Sequence, residues 1–173
     1  ACAERLRNRN KEIIIGGNIG KNTTTKNENA LDDYIENFNI LHEHVDYFVL
    51  NVSCPNVSNF TKLQDVTFLE SLIPKLKEIN DNKTKSKPIL IKISPDLNKK
   101  QLDETIKLVI DQHLDGIIAT NTTISRENLK TSSFKLNKIG NGGLSGLPLT
   151  NKSTELIRYI AKKTNQKIPI IGV

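Results

Sequence analysis

Cys54 is the residue whose type and setting best suit chemistry, in the run Asn51-Val52-Ser53-Cys54-Pro55-Asn56. It follows the apolar stretch Tyr47-Phe48-Val49-Leu50, and Pro55 ends strand geometry immediately after it. That places the sulfur in a loop at the mouth of a buried strand. A thiol there can act as a general base if the site lowers its pKa or ligand binding excludes water. An isolated cysteine is by default an inert core thiol, so the groups that other strand ends bring to meet it decide between the two readings.

Lys92 is the second such group, in Ile89-Leu90-Ile91-Lys92-Ile93-Ser94-Pro95-Asp96. An ammonium flanked by isoleucines is costly to bury unless it meets a charge or several acceptors. It reads either as a lysine snorkelling from an edge strand or as a cation facing an anionic ligand or an electron-rich cofactor. Asn18, Asn51, Asn56 and Asn121 are neutral groups that donate and accept together. Such a set suits a flat heterocycle with alternating carbonyls and N–H groups, although an asparagine-rich chain also places some of them by composition alone. The glycine runs Gly16-Gly17-Asn18-Ile19-Gly20 and Gly140-Asn141-Gly142-Gly143-Leu144-Ser145-Gly146 allow backbone to approach a ligand. Neither has dinucleotide-fingerprint or P-loop spacing. His42, His44 and His113 lack acidic partners at ligand intervals, so no metal is expected. Cys2 lies in an amphipathic helical pattern and reads as packing.

These groups need elements to hold them. Ile13-Ile14-Ile15, Tyr47 to Leu50, Ile89-Leu90-Ile91, Gly116-Ile117-Ile118-Ala119 and Ile168-Pro169-Ile170-Ile171 are nearly continuous apolar runs, read as strands covered on both faces. Helical stripes separate them: Ala30 to Leu41, Phe68 to Ile79, Leu102 to Ile110 and Leu156 to Ala161. Thr67 with Glu70 and Asn98 with Gln101 have capping-box spacing. Repeated βα units with right-handed crossovers give a parallel sheet, which a doubly wound sheet and a (β/α)8 barrel both satisfy. The barrel is favoured because polar residues follow nearly every strand: Asn18, Asn51 to Asn56, Lys92 with Ser94, and Thr120 to Thr123. The fold class is therefore an α/β (β/α)8 TIM barrel, of which residues 1–173 hold about five consecutive βα strands as one partial domain.

The net charge of +6 arises from 25 Lys and Arg against 19 Asp and Glu. The basic residues lack interleaved aromatics, so nucleic acid is not the expected partner. Two cysteines make no disulfide framework, which points to a reducing compartment. No apolar run is long enough to span a bilayer. A charged helical start without Met and a terminal uncovered strand suggest a piece of a larger domain.

Five segments, in this order, resemble dihydroorotate dehydrogenases: Gly-Gly-Asn-Ile-Gly-Lys at 16–21, Asn-Val-Ser-Cys-Pro-Asn at 51–56, Lys-Ile-Ser-Pro-Asp-Leu at 92–97, Thr-Asn-Thr-Thr at 120–123 and Gly-Gly-Leu-Ser-Gly-Leu-Pro-Leu at 142–149. The resemblance covers essentially the whole chain. It implies an FMN-bearing barrel that oxidises dihydroorotate to orotate in pyrimidine synthesis. Cys54 would then remove the C5 proton while the C6 hydride passes to flavin N5. Asn51, Asn56, Asn121 and Thr122 would hold the orotate ring and carboxylate. Asn18, Asn51, Lys92, Thr120 and Gly146 would contact FMN, with Lys92 stabilising the negative charge of the reduced ring.

The opening Ala3-Glu4-Arg5-Leu6-Arg7, the segment Asn18 to Asn22 and Leu63-Gln64 resemble the membrane-associated, quinone-reducing class 2 branch. That branch usually has serine at the base position, and cysteine there is similar to the soluble class 1 enzymes. Cys54 is read as a thiol variant within class 2. The resemblance implies a membrane quinone as partner and peripheral attachment through a segment outside residues 1–173. The place would be the cytoplasmic face of a bacterial inner membrane, or the mitochondrial inner membrane in a eukaryote. It also implies that the early strands and the FMN-phosphate loops lie outside this stretch, which alone is expected to retain little FMN and not to turn over. Other flavin barrels, such as a tRNA dihydrouridine synthase or a dihydropyrimidine dehydrogenase-like domain, and a non-enzymatic α/β scaffold are the competing readings.

Overall fold

The computed structural model describes residues 1–52 and 66–173. Cys54, Asn56 and Leu63-Gln64 lie outside the described residues. After a short helix α1 (Cys2–Leu6) the order is β1 (Gly16–Ile19), α2 (Ala30–Leu41), β2 (Tyr47–Asn51), α3 (Val66–Asp81), β3 (Ile89–Ile93), α4 (Lys99–Asp111) and β4 (Gly116–Ala119). Two helices then follow in succession, α5 (Ser133–Ile139) and α6 (Leu147–Lys163), before β5 (Ile170–Gly172).

The strands form one sheet in the order β1-β2-β3-β4-β5, with every neighbouring pair parallel. A doubly wound sheet reverses its order at a switch point, whereas strands added one after another in the same direction are the start of a βα barrel. The expected fold class is what the chain adopts, as a partial barrel.

Period-two alternation gives the sheet two faces. Phe48, Leu50, Ile91 and Ile117 point to the helices and are fully buried, against Tyr34 and Phe38 of α2, Leu69, Leu72, Ile73 and Leu76 of α3, and Ile160 of α6. The Phe38 and Phe48 rings stack with centroids 4.1 Å apart. Removal of such a side chain from water is worth roughly 1.5–3 kcal/mol each, and this layer is the main core. Val49, Leu90 and Ile118, with Tyr47 against them, form a separate, smaller cluster on the opposite face. Asn18 pairs in register with Val49, Asn51 with Lys92, and Lys92 with Ile118. Asn18, Asn51 and Lys92 therefore share that second face, the one a closing barrel turns inward.

The first strand differs from expectation. It runs over Gly16–Ile19, not the isoleucine triplet, and Ile13 and Ile14 are 58% and 77% exposed. Asp46 fixes this register. Its carboxylate accepts the Ile15 N–H at 2.8 Å and Arg9 Nη2 at 2.6 Å, while its own N–H donates to the Ile15 carbonyl at 2.7 Å. Pairing then sets Gly16 against Tyr47, where a Cβ would stand 2.4 Å from the Tyr47 ring, so β1 needs glycine at the position that a run of isoleucines would crowd. Asn18 consequently lies within β1 and Lys92 within β3, and not beyond those strands. The last strand begins at Ile170 because Pro169, which has no N–H, contributes only its carbonyl, accepting from Ile117 at 2.9 Å. Thr67 is already inside α3. The Asn98–Gln101 capping box is formed in both directions, at 2.9 and 3.0 Å.

Helix α5 was not expected from periodicity. None of its residues is buried, and Phe134 and Ile139 are exposed, so no apolar stripe marks it. Its bounds come from local groups: the Ser132 side chain accepts from Lys135 N–H, and Gly140 closes it at φ 87°.

The hydrogen bond from Ile15, and then that from Arg9, hold the Asp46 carboxyl below the usual carboxylate range. A carboxylate favoured in the folded state stabilises above its unfolded pKa, and that contribution is lost as pH falls through the folded value. In the complete protein, Asp46→Asn is expected to cost about 1 kcal/mol at neutral pH, discounted for part exposure. The gap to wild type should close below about pH 4. Urea unfolding at neutral and acidic pH checks this, and a gap independent of pH would contradict it.

Candidate functional site at the strand ends

Three parallel strands end beside one another, and the chain must turn there with its polar groups satisfied or aimed at a ligand. At the carboxyl ends of β3, β4 and β5 opens a cleft of about 570 Å³. Lys92 enters it from β3, and Thr120, Asn121 and Thr122 from the turn after β4. Gly146 and the first turns of α6 form the opposite wall. Five residues singled out from sequence, Lys92, Thr120, Asn121, Thr122 and Gly146, thus line one cavity whose size is that of a small-molecule or cofactor site.

Asn51 joins them at one remove. The Asn121 side-chain amide donates to Asn51 Oδ1 at 3.4 Å, and Asn121 Oδ1 accepts the Thr122 N–H at 2.8 Å. The Asn51 carbonyl is itself anchored by the hydroxyl of the fully buried Tyr34, at 3.0 Å. Asn18 shares the face but does not line the cleft. Cys54 and Asn56 belong to the segment outside the described residues, directly after β2, whose last residue Asn51 is paired with Lys92.

Thr120 carries the most informative atom. It is 3% exposed, and its hydroxyl finds no hydrogen-bond partner among the described residues. A buried unsatisfied hydroxyl costs roughly 1–3 kcal/mol, and here it borders a ligand-sized cavity. A bound molecule with an acceptor or donor at that point would remove the cost.

The glycine loop is fitted to this turn. Thr123 and Leu144 exchange backbone hydrogen bonds of 2.9 and 2.7 Å, forming an antiparallel bridge. One residue earlier, a Cβ on Gly143 would stand 1.9 Å from Thr122 Oγ1, so the loop can seat only with glycine there. Gly146, at φ 83°, turns the chain into α6, and its carbonyl accepts the Leu149 N–H at 2.9 Å. Arg126 ties the two segments: Nη2 donates to the Gly142 carbonyl at 2.6 Å, and Nη1 to those of Thr123, Ile124 and Ser125 at 3.2 to 3.4 Å.

Sequence reasoning missed Arg126 and Asp96 as parts of this site. Asp96 accepts from Thr123 Oγ1 at 2.6 Å, from the Ile124 N–H at 2.9 Å and from Lys152 Nζ at 2.8 Å. Burial pushes its carboxyl up, but the bonds from Lys152, Thr123 and Ile124 outweigh this and hold it below the usual range. Its partners lie 27, 28 and 56 residues away, beyond any local spacing signal. The one hint was its place in a Pro-Asp turn directly after a strand. Among the described residues no group of His, Cys, Asp or Glu could hold a metal, and no helix is long and apolar enough to cross a membrane.

Consecutive parallel βα units with their polar groups collected at the strand carboxyl ends define a barrel-type α/β protein with a ligand cleft on that face. The family model described as dihydroorotate dehydrogenase matches residues 1–173, and the chain belongs to that family. It is 50% identical over 173 residues to a dihydroorotate dehydrogenase (quinone) of Christiangramia forsetii, covering all of this chain and 49% of that protein. It is 44% identical over 183 residues to the protein of the same name from Nostoc punctiforme, covering all of this chain and 47% of the relative. Among solved structures it is similar to the ligand-free DHODH of Eimeria tenella, with a TM-score of 0.82 and 32% identity over 98% of this chain and 50% of that one. The chain spans about half the length of the curated relatives it matches.

The fit of loop to turn gives a direct test. Gly143→Ala is expected to destabilise the complete protein by about 1–3 kcal/mol, the usual cost of overpacking, and to speed amide exchange at Thr123 and Leu144. A Cβ on Gly142 meets nothing among the described residues, so Gly142→Ala should stay within about 0.5 kcal/mol of wild type. Equal effects in urea unfolding and exchange would contradict the fit.

Proposed function

We propose that the complete protein oxidises dihydroorotate to orotate and passes the electrons to a quinone, in pyrimidine synthesis. The single observation that carries this is the convergence of Lys92, Thr120, Asn121, Thr122 and Gly146 on one strand-end cleft, in a chain that matches the dihydroorotate dehydrogenase family from end to end.

The residues present fit FMN as cofactor. The buried Thr120 hydroxyl borders the cleft without a partner among the described residues. Lys92 supplies a cation on the same wall, and Gly146 lets backbone come close. When bound, FMN supplies a two-electron acceptor for the hydride. Lys92, Asn18, Asn51, Thr120 and Gly146 are the groups that would hold it.

For the substrate, Asn121 and Thr122 are oriented before anything binds, since each side of the Asn121 amide is already engaged, with Asn51 and with the Thr122 N–H. Neutral amides of this kind suit a pyrimidine dione, whose ring edge alternates carbonyls and N–H groups. Asn51 and Asn56 complete that set. Cys54, three residues beyond Asn51, is assigned as the base that takes the C5 proton. The quinone as acceptor is supported by the names of the relatives from Christiangramia forsetii and Nostoc punctiforme. Membrane attachment would be peripheral, through a part of the protein outside residues 1–173, at the cytoplasmic face of a bacterial inner membrane or the mitochondrial inner membrane.

Anaerobic mixing of the complete protein with dihydroorotate should bleach its flavin absorbance, and a quinone should restore it faster than fumarate or NAD. Cys54→Ala is expected to slow flavin reduction at least about 100-fold, the usual worth of a positioned base. Cys54→Ser should keep part of the rate, with its pH optimum moved upward. Near-normal reduction in the alanine variant across neutral pH would sink the base assignment, and reoxidation by fumarate or NAD in preference to quinone would sink the acceptor.

A further inference from the structure

Asp96 does not line the cleft, yet it is bonded to the turn after β4 and to α6, which form two of its walls. It follows β3, two residues after Ser94, whose Oγ accepts the Asp96 N–H at 3.1 Å. One carboxylate oxygen takes both the Thr123 hydroxyl at 2.6 Å and the Lys152 ammonium at 2.8 Å, and the other takes the Ile124 N–H at 2.9 Å. Thr123 directly follows the cleft residues Asn121 and Thr122, and it is the residue bridged to Leu144 in the glycine loop. Lys152 lies on α6 beside Ser153, another cleft residue. The Asp96 side chain is only 23% exposed and Thr123 is buried, so the Thr123 bond is shielded while those from Ile124 and Lys152 lie at the exposed side, and charge-assisted bonds of this kind are about twice as strong as neutral ones.

We propose that Asp96 is a positioning residue that sets ligand affinity by locking the Thr122-Thr123-Ile124 segment against the turn after β3 and against α6. This rests on the proposed dihydroorotate reading for its ligand, though not for its geometry. Neither neighbouring loop can replace the carboxylate. The Arg126 guanidinium donates to the same turn's carbonyls and to Gly142, so it fixes the turn to the glycine loop but not Thr123 and Ile124 to the segment after β3. Without Asp96, Asn121 would stay on β3 through its N–H bond to the Ile93 carbonyl at 2.8 Å, but Thr123 and Ile124 would lose their tie to the segment after β3 and to α6. The cleft residue Thr122, between Asn121 and the freed Thr123, would then be less firmly placed against α6, and a misplacement of about 1 Å at such a site costs up to about 100-fold.

The test uses the complete flavin-loaded protein with Asp96→Asn, Asp96→Ala and Lys152→Met, measuring orotate Kd, KM for dihydroorotate, kcat, flavin content, and amide exchange at Ile124 and Leu144. Asp96→Asn keeps the shape and an acceptor for Thr123 but loses the charge and one acceptor. It is expected to raise Kd and KM at least about tenfold, with flavin content and kcat within about threefold, and to speed exchange at Ile124. Lys152→Met, at a half-exposed position, should shift Kd the same way by a smaller factor. Kd and KM within twofold of wild type in Asp96→Asn would overturn the proposal. So would a fall in kcat that tracks flavin loss with Kd unchanged, since that is what a merely structural role produces. If Asp96→Ala does not fold, Asp96→Asn and Lys152→Met decide. A wild type that binds no orotate sinks the functional reading alone, and unchanged Ile124 exchange in Asp96→Asn then sinks the positioning role independently.

Discussion

In a parallel pleated sheet, in-register strands place every second side chain on a common face, and the rest of this structure depends on that constraint. Asn51 opposite Lys92, and Lys92 opposite Ile118, cannot be separated without a one-residue slip that would turn Phe48, Leu50, Ile91 and Ile117 out of the helix-side core. The cost of such a slip is the burial energy of that whole layer. The core therefore fixes not only the fold but also which polar groups stand together on the opposite face. Helix packing and site geometry are two consequences of one register.

The same constraint explains why the polar groups can be tolerated. On the inward face the apolar cluster is small, confined to Val49, Leu90, Ile118 and the flanking Tyr47. Toward the carboxyl ends it gives way to Asn51, Lys92 and Thr120, where backbone must leave the sheet in any case. Loops that cross these ends are held by charged side chains at their margins, Asp96 from β3 and Arg126 from the turn itself. Among the described residues, the polar lining of the cleft is neutral hydroxyls and amides with Lys92, beside the apolar Leu149 and Ile157 of α6. That division, with full charges in the frame and neutral groups beside Lys92 in the cleft, suits the proposed flat polar ring and electron-rich cofactor.

The parts of this arrangement legible from sequence were those written in local runs. Continuous apolar strands, helical stripes in α2, α3, α4 and α6, and polar residues after nearly every strand pointed to the barrel and to Lys92 and the Thr120 to Thr123 turn, while Gly146 stood out in a glycine run and by family resemblance. The illegible parts depended on partners distant in the chain. Strand β1 moved from three isoleucines to two glycines because Asp46 and Tyr47, some 30 residues on, determine its register. Helix α5 has no buried face and so no periodic signal. Asp96 carried no local signal of its role because its partners Lys152 and Thr123 come from other βα units. Asn18 was expected beyond its strand; it lies within β1, on the face shared with Lys92, and does not line the cleft.

The central claim is that the inward, carboxyl-end face of β3 to β5 is where substrate and cofactor meet. A crystal structure of the complete protein grown with orotate tests it most directly. Orotate is predicted within hydrogen-bond distance of Asn121 or Thr122, with the flavin ring against Lys92 and an acceptor or donor on the Thr120 hydroxyl. Orotate bound elsewhere, for example in the outer groove between α4 and α6 lined by Leu102 and Tyr159, with the Thr120 hydroxyl still unpartnered, would contradict it.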